Sequence, residues 1–340
     1  MIESLQALRA IAFIMIFLSH CNIQASSGPM GVSIFLVLSG FLMQYNQNNK
    51  IDSPPLGIKE QLGFSIKKIS KLYPLHIITL FIKCNCFQEG LVKGSINLLL
   101  LQAWIPIPSW YFSYNAVSWY LSVYMFLLFC FPILYKKISK LKMREIILWL
   151  CVVLTLSFIP IVVFKLIYPN IRNDIIKYYT YIFPLYRIID FILGMMLAKI
   201  CMIANVKNKK IPINLVGATF LEIMLIVIWI KQIIMYSNGT VSPVIVYDLF
   251  WLPTSILAVY LFYKKQGIFT RLLSNRLTVC IGNISGVAFL IHQIVIRITA
   301  QRINYSNYII AVIAFFITII VSMIYKKYVK FELHIKDRIR

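Results

Sequence analysis

Apolar residues fill this chain in runs too long for the elements of an ordinary soluble domain, and polar residues interrupt them at a few places. The runs cover 5–23, 31–46, 70–86, 117–135, 145–168, 180–202, 213–235, 244–263, 278–301 and 307–326. About 20 apolar residues in helical form cross the hydrocarbon of a bilayer. In lipid every backbone polar group must bond within the protein, and long continuous apolar runs do so as helices. The pattern predicts an all-α fold, a polytopic membrane bundle of about ten transmembrane helices, read as one integral membrane domain over 1–340. No basic segment precedes the first run, so it is expected to stay as the first helix. No internal repeat is evident, which counts against a repeat-built transporter.

The first two runs form a hairpin across 5–43, LQALRAIAFIMIFLSHC, a short turn, then GVSIFLVLSGFLM. The first of them holds Arg9 and His20. An arginine inside a span costs on the order of 2.5–3.5 kcal/mol by insertion scales. The two residues are eleven apart. At 3.6 residues per turn that separation returns them to one helix face, ~16 Å apart along the axis, with Phe13 and Ile16 in the stripe between. Two readings stand on this spacing alone. Either both side chains sit near the interfaces as anchors, or the stripe faces the bundle interior and is used.

Composition supports the membrane reading and charge orients it. The 340 residues are 60% hydrophobic and 13% charged, against ~25% charged in a typical soluble domain. The formal net charge of +23 invites a nucleic-acid partner. Sorting the basic residues by loop removes the need for one. Of 34 Lys and Arg, 24 fall on one side of the predicted spans, 7 on the other, and Arg9, Arg187 and Arg297 inside them. This alternation predicts a protein of the cell inner membrane with both termini in the cytoplasm. Arg9 then lies toward the inner face and His20 toward the outer one. The outer stretch 104–120, WIPIPSWYFSYNAVSWY, reads either as an aromatic interfacial belt or as a re-entrant element capping a cavity. The seven Cys are scattered through apolar runs and have no framework spacing; Cys84-Asn-Cys86 is a weak hint of a metal or disulfide site.

Other polar residues recur inside the spans. Arg187, Asp190 and Gly194 stand at i, i+3, i+7 on one face of the sixth run, as a self-neutralising pair or part of a cavity wall. Ser285 and His292 share a face of the ninth run, with His292 in the same outer half as His20, so the two histidines are candidates for one polar cavity. Lys68 and Lys71 open the third run, as inner-face anchors or as ligands for phosphates. Phosphate-loop, HExxH and GxSxG patterns are absent, and no metal is expected. Two function classes remain on the residues alone: an enzyme acting at the membrane, or a proton-coupled transporter or exporter of a glycan or small solute.

The motifs, in order, resemble the membrane-bound acyltransferase family 3. Arg9 and His20 match its Arg-x10-His first helix; Gly31, Val32, Phe35, Leu38, Ser39, Gly40, Phe41 and Leu42 match its second. KKISKLYPLHI is similar to its basic element before Tyr-Pro, with Lys68 and Lys71 where arginines are usual. Trp119, Leu121 and Ser122 resemble its W-x-L-S helix, PLYRIIDFILG its R-x-x-E/D-F element, and Ser285 with His292 its late histidine helix. Tyr124 stands where many members have Glu. The resemblance implies transfer of an acyl group, acetyl from acetyl-CoA or another acyl from its acyl-CoA, to a hydroxyl of a cell-surface polysaccharide or its lipid-linked precursor. It implies His20 as the catalytic base, with His292 as a second candidate for that role, and Arg9 to hold the donor's phosphates or carbonyl or to orient the helix. The donor side is assigned Lys68, Lys71, Arg187 and Asp190, the last two shaping the cavity, and the acceptor side Trp119, Ser122 and Ser285. Partners are then the glycan acceptor and membrane lipids.

Overall fold

Each of the ten apolar runs contains helix in the computed structural model, which describes residues 2–23, 27–47, 57–82, 90–168, 170–206, 214–303 and 305–339. The main helices are α1 (Glu3–His20), α2 (Gly28–Gln47), α3 (Ile58–Ile69), α4 (Tyr73–Ile82), α5 (Leu91–Leu98) and α6 (Trp119–Lys140). They continue as α7 (Met143–Ser157), α8 (Pro184–Val206), α9 (Leu215–Ser237), α10 (Leu252–Lys264), α11 (Arg276–Arg302) and α12 (Asn307–Ile339). Among the described residues there is no strand, so the fold is all-α. Among the described residues, seven stretches are long and apolar enough to cross a membrane: 28–47, 116–140, 143–167, 173–205, 215–237, 276–302 and 307–328. The expected ten is not reached by that measure. α1 carries Glu3, Gln6, Arg9 and His20 within its 18 residues. α4 has 10 residues and α10 has 13, the run 244–263 being broken by a turn around Asp248.

The burial pattern is that of a membrane bundle. α1 is the central helix, with Leu5, Leu8, Phe13, Ile16 and Phe17 at most 1% exposed. α7, α9 and α12 lie at the periphery and turn Ile147, Leu148, Val216, Phe220, Phe316 and Ile324 outward. Apolar surface of this extent in water costs ~25 cal/mol per Å², whereas lipid tails receive it without penalty.

The two most extensive helix contacts are α2 on α8 and α1 on α11. Each depends on the absence of a side chain. A Cβ at Gly40 would fall on the Phe191 carbonyl, and one at Gly194 on the Val37 carbonyl, so α2 and α8 meet backbone to backbone from both sides. Gly282 does the same for α11 against the Gln6 carbonyl of α1. Small residues at such crossings gain packing that lipid cannot supply.

Residues 90–118 form a folded cap rather than a simple belt. Short helical turns at Gln102–Trp104, Pro108–Tyr111 and Ala116–Ser118 lead into α6. Several of their polar groups bond within the segment and to the start of α6. Ser122 Oγ donates to the Leu100 carbonyl at 2.5 Å, Gln102 Nε2 donates to the Ser118 carbonyl at 3.0 Å, and Asn97 Nδ2 donates to Ser113 Oγ at 2.8 Å. Irregular backbone within a membrane protein is tolerated where the protein itself pairs it or where it lines a cavity. Cys21, Cys130, Cys151, Cys201 and Cys280 are free thiols, and Cys84 and Cys86 lie outside the described residues.

The glycine crossings give a paired test. Gly194→Val forces a methyl into the Val37 backbone and should cost at least 1–3 kcal/mol, about the range for overpacking, read as an earlier thermal transition of the detergent-purified protein. Gly63→Ala on α3, where nothing lies within 4 Å of a new Cβ, should leave the transition in place or raise it slightly, since alanine is the better helix former by about 0.5–1 kcal/mol.

Candidate active site

α1 and α11 run side by side in the same direction, since Gln6 meets Gly282 near one end and His20 meets His292 near the other. Side chains on a helix lean toward its N-terminus, so the ring of His20 reaches back along α1 toward His292. His20 Nδ1 and His292 Nε2 are 2.7 Å apart and the rings are tilted by 34°. Phe13 stands edge-on to His292 at 5.9 Å, with Phe17 and Phe289 also against it. His292 is fully buried, while His20 keeps partial access. The stripe from Arg9 to His20 thus faces inward, and Phe13 and Ile16 within it are buried.

The proton order of this pair follows from its partners. His292 Nδ1 lies 2.7 Å from the Phe289 carbonyl, which can only accept, so that nitrogen carries a hydrogen. With both rings neutral, His292 Nε2 has a lone pair and accepts from His20 Nδ1–H. His20 Nε2 is then the unprotonated nitrogen left for the cavity. Asn115 secures the arrangement from the cap by donating to the Leu290 carbonyl at 2.7 Å, two residues before His292.

His20 lines a cavity of about 170 Å³ between α1, α2, α11 and the cap. Its walls include Ile16, Ser19 and Val32 on one side, and Phe112, Val117 and Trp119 from the cap on the other. Tyr181, Tyr236, Tyr247, Lys177 and Gln293 complete it. Aromatic faces with a few convergent polar groups are the usual lining of a small-molecule site.

Arg187 and Asp190 are fully buried behind this wall rather than in it. Arg187 Nη1 is 3.4 Å from Asp190 Oδ2 and pairs more closely with Asp248, and Ser33 Oγ donates to Asp190 at 3.3 Å. The guanidinium also lies over the ring of Tyr181, 5.6 Å from its centroid. The ion cluster therefore ties α8 to the segment that carries Tyr247, and both tyrosines face the cavity. Asp248 is the partner that the sequence reading omitted. A carboxylate inside the apolar run 244–263 was the signal that could have found it.

The remaining candidates divide. Trp119 lines the cavity. Ser122 is buried in the cap hinge, and Ser285 donates to the Gly282 carbonyl at 2.8 Å. Arg9 is half-buried, hydrogen-bonded to Gln6 at 3.5 Å and within electrostatic range of Tyr120 and Tyr124. Tyr124 stacks on Tyr120 at 6.2 Å. Lys68 and Lys71 are exposed at the end of α3 and just after it. Lys68 sits over Phe64, which stacks on Phe131 of α6. Phe131 is twelve residues from Trp119 along α6, roughly 18 Å by helix rise. The lysines are therefore not brought to the cavity. No group of three or more His, Cys, Asp or Glu suited to a metal ion occurs among the described residues.

A multi-helix membrane protein with a histidine pair opening on an aromatic cavity is the class that the geometry defines. A model of the acyltransferase domain family Acyl_transf_3 matches residues 2–327, and the chain belongs to that family. It is similar to the acyltransferase MdmB of Streptomyces mycarofaciens, 31% identical over 134 residues, which are 36% of this chain and 32% of that protein. The match thus spans about a third of that relative. No solved structure matches.

The buried cluster has two carboxylates on one guanidinium. Arg187→Gln leaves both without a counter-ion and should cost on the order of 3–5 kcal/mol, as for other broken buried pairs. Asp248→Asn leaves one cation on one anion and should cost clearly less. Thermal melts of the two purified variants check the order.

Proposed function

We propose that the protein is an O-acyltransferase of the cell inner membrane, both termini cytoplasmic, that moves an acyl group, acetyl above all, from acyl-CoA to a hydroxyl of a cell-surface polysaccharide or its lipid-linked precursor. The observation that carries this reading is the 2.7 Å contact of His20 with His292 at the cavity wall, together with the carbonyl at His292 Nδ1. Family membership supports the acyl-transfer chemistry, and the excess of basic residues on one side of the spans supports the orientation.

A sugar hydroxyl is a weak nucleophile that needs a neutral base at hydrogen-bond distance. His20 Nε2 takes the hydroxyl proton as the oxygen attacks the thioester carbonyl carbon. The imidazolium that forms is steadied by His20 Nδ1–H donating to His292, whose own orientation is set by the Phe289 carbonyl. Collapse of the tetrahedral intermediate breaks the C–S bond, and the proton on His20 Nε2 goes to the departing thiolate. The products are the ester and free CoA. His292 touches no reacting atom and acts by fixing the tautomer of His20.

The donor comes from the side where CoA is made. Lys68 and Lys71 offer point charges to its phosphates there. Arg9, about 16 Å along α1 from His20, lies between the two ends, and the thioester reaches past it to the cavity. Arg187 and Asp190, with Asp248, support the tyrosine wall. Trp119 offers a flat face to the acceptor.

Acetyl transfer from labelled acetyl-CoA to glycan in membrane vesicles tests the reading. His20→Gln should lower the rate by about 10²–10⁴, the usual range for a lost general base, with the protein still inserted. His292→Phe should lower kcat by a smaller factor with little change in the acceptor KM. Wild-type activity should fall as pH drops, because protonation of His20 removes the base, and that acid limb should be missing from the residual activity of His20→Gln. Full activity in His20→Gln, or solute flux in vesicles with no acyl transfer, would rule the reading out.

A further inference from the structure

One cation faces the cavity without a role in the chemistry above. Lys177 ends the short helix Asn173–Lys177 and lines the same cavity as His20. Its ammonium lies over two rings, 5.3 Å from the centroid of Phe112 and 5.7 Å from that of Tyr247. Among the described residues no carboxylate is within ion-pair distance of it. The acid one turn away, Asp174, is held by Arg172 through two hydrogen bonds of 3.0 and 2.7 Å. Ring faces offset part of the cost of removing an ammonium from water. They accept no conventional hydrogen bond from its three N–H groups, which leaves this partly buried ammonium free to bind an oxyanion in the cavity.

We propose that Lys177 is a specificity-determining residue that recognises an oxyanion, a carboxylate or a phosphate ester, on the sugar whose hydroxyl is acylated. This rests on the reading of the cavity as the acceptor site. The placement suits the task. Phe112 and Tyr247 hold the ammonium at a fixed point on the wall, Trp119 and Tyr181 give the sugar flat faces to lie on, and Ser19 and Gln293 offer hydrogen bonds to neutral hydroxyls. The same cation would penalise a neutral sugar only weakly, so it sets preference between acceptors rather than rate.

The test separates binding from transfer. Quenching of tryptophan fluorescence in the detergent-purified protein, with no acyl donor present, gives affinities for glucuronate, glucose 1-phosphate and glucose. Wild type should favour at least one of the two anionic sugars over glucose by about ten-fold or more, the scale of a charge-assisted hydrogen bond. Lys177→Met should bring that ratio close to one, and Lys177→Arg should keep most of it. Glucuronate and glucose 1-phosphate separately show whether a carboxylate or a phosphate is preferred. Equal binding of all three sugars by wild type, or a ratio that survives in Lys177→Met, would overturn the proposal. A parallel assay of acetyl transfer to the same sugars reports on the acyltransferase reading by itself: charge-selective binding without transfer counts against that reading and leaves the role of Lys177 standing.

Discussion

The histidine pair exists only because two backbones touch. His20 and His292 are separated by 272 positions in the chain and by 2.7 Å in space. Their helices lie parallel at the distance set where Gly282 meets the Gln6 carbonyl. Any side chain at that crossing would push α11 away from α1 and disturb the spacing of the two rings, one on each helix. The constraint extends outward from there. α1 is also gripped by α2, and α2 is locked to α8 through Gly40 and Gly194. The helices that bear the site are thus held by backbone contact, which has none of the rotamer freedom that a contact between long side chains would have. A base that must meet its substrate within a few tenths of an ångström gains from such a mount.

Electrostatics divides the same scaffold into three zones. Lys68 and Lys71 sit in the open at one end. Arg187 with Asp190 and Asp248 lies fully buried at the back of the cavity. The histidine pair stands between the protein interior and the aromatic cavity. A buried ion cluster seldom adds net stability over an apolar core of the same shape. Its presence here fits a positional role: it joins α8 to the turn before α10, and the residues it braces, Tyr181 and Tyr247, form the wall opposite His20. The bulge in the run 244–263 that shortens α10 is the same feature that delivers Asp248 to Arg187.

How far the sequence could be read follows from which features are local. Helix positions were legible because a membrane helix announces itself through length and apolarity, without reference to any neighbour. Arg9 and His20 stood out because a polar group in such a run is costly, and their common face follows from helical period alone. The pairing of His20 with His292 could be suggested, since both lie in the outer half of their helices, but contact between them depends on Gly282, and no local pattern says which helix a glycine will meet. Asp248 was hidden by being counted as part of an apolar run. Lys177 was hidden by belonging to the few basic residues on the outer side, where it looked like a loop charge. The cap over 104–120 could be read two ways because aromatic and proline residues suit an interface as well as a lid; Phe112, Ala116, Val117 and Trp119 in the cavity wall favour the lid.

Tyr124 shows what the structure adds to a departure from pattern. On sequence it is a family position with the wrong residue, and a missing carboxylate there would weaken the case for catalysis if that carboxylate served as the base. In the fold, Tyr124 lies beside Arg9 and Tyr120, and Tyr120 in turn packs on Phe289, a neighbour of His292. Its charged neighbour is Arg9, so a change at this position acts on how that charge is held. The histidine pair itself is held without it, since His20 Nδ1 meets His292 and His292 Nδ1 meets a backbone carbonyl.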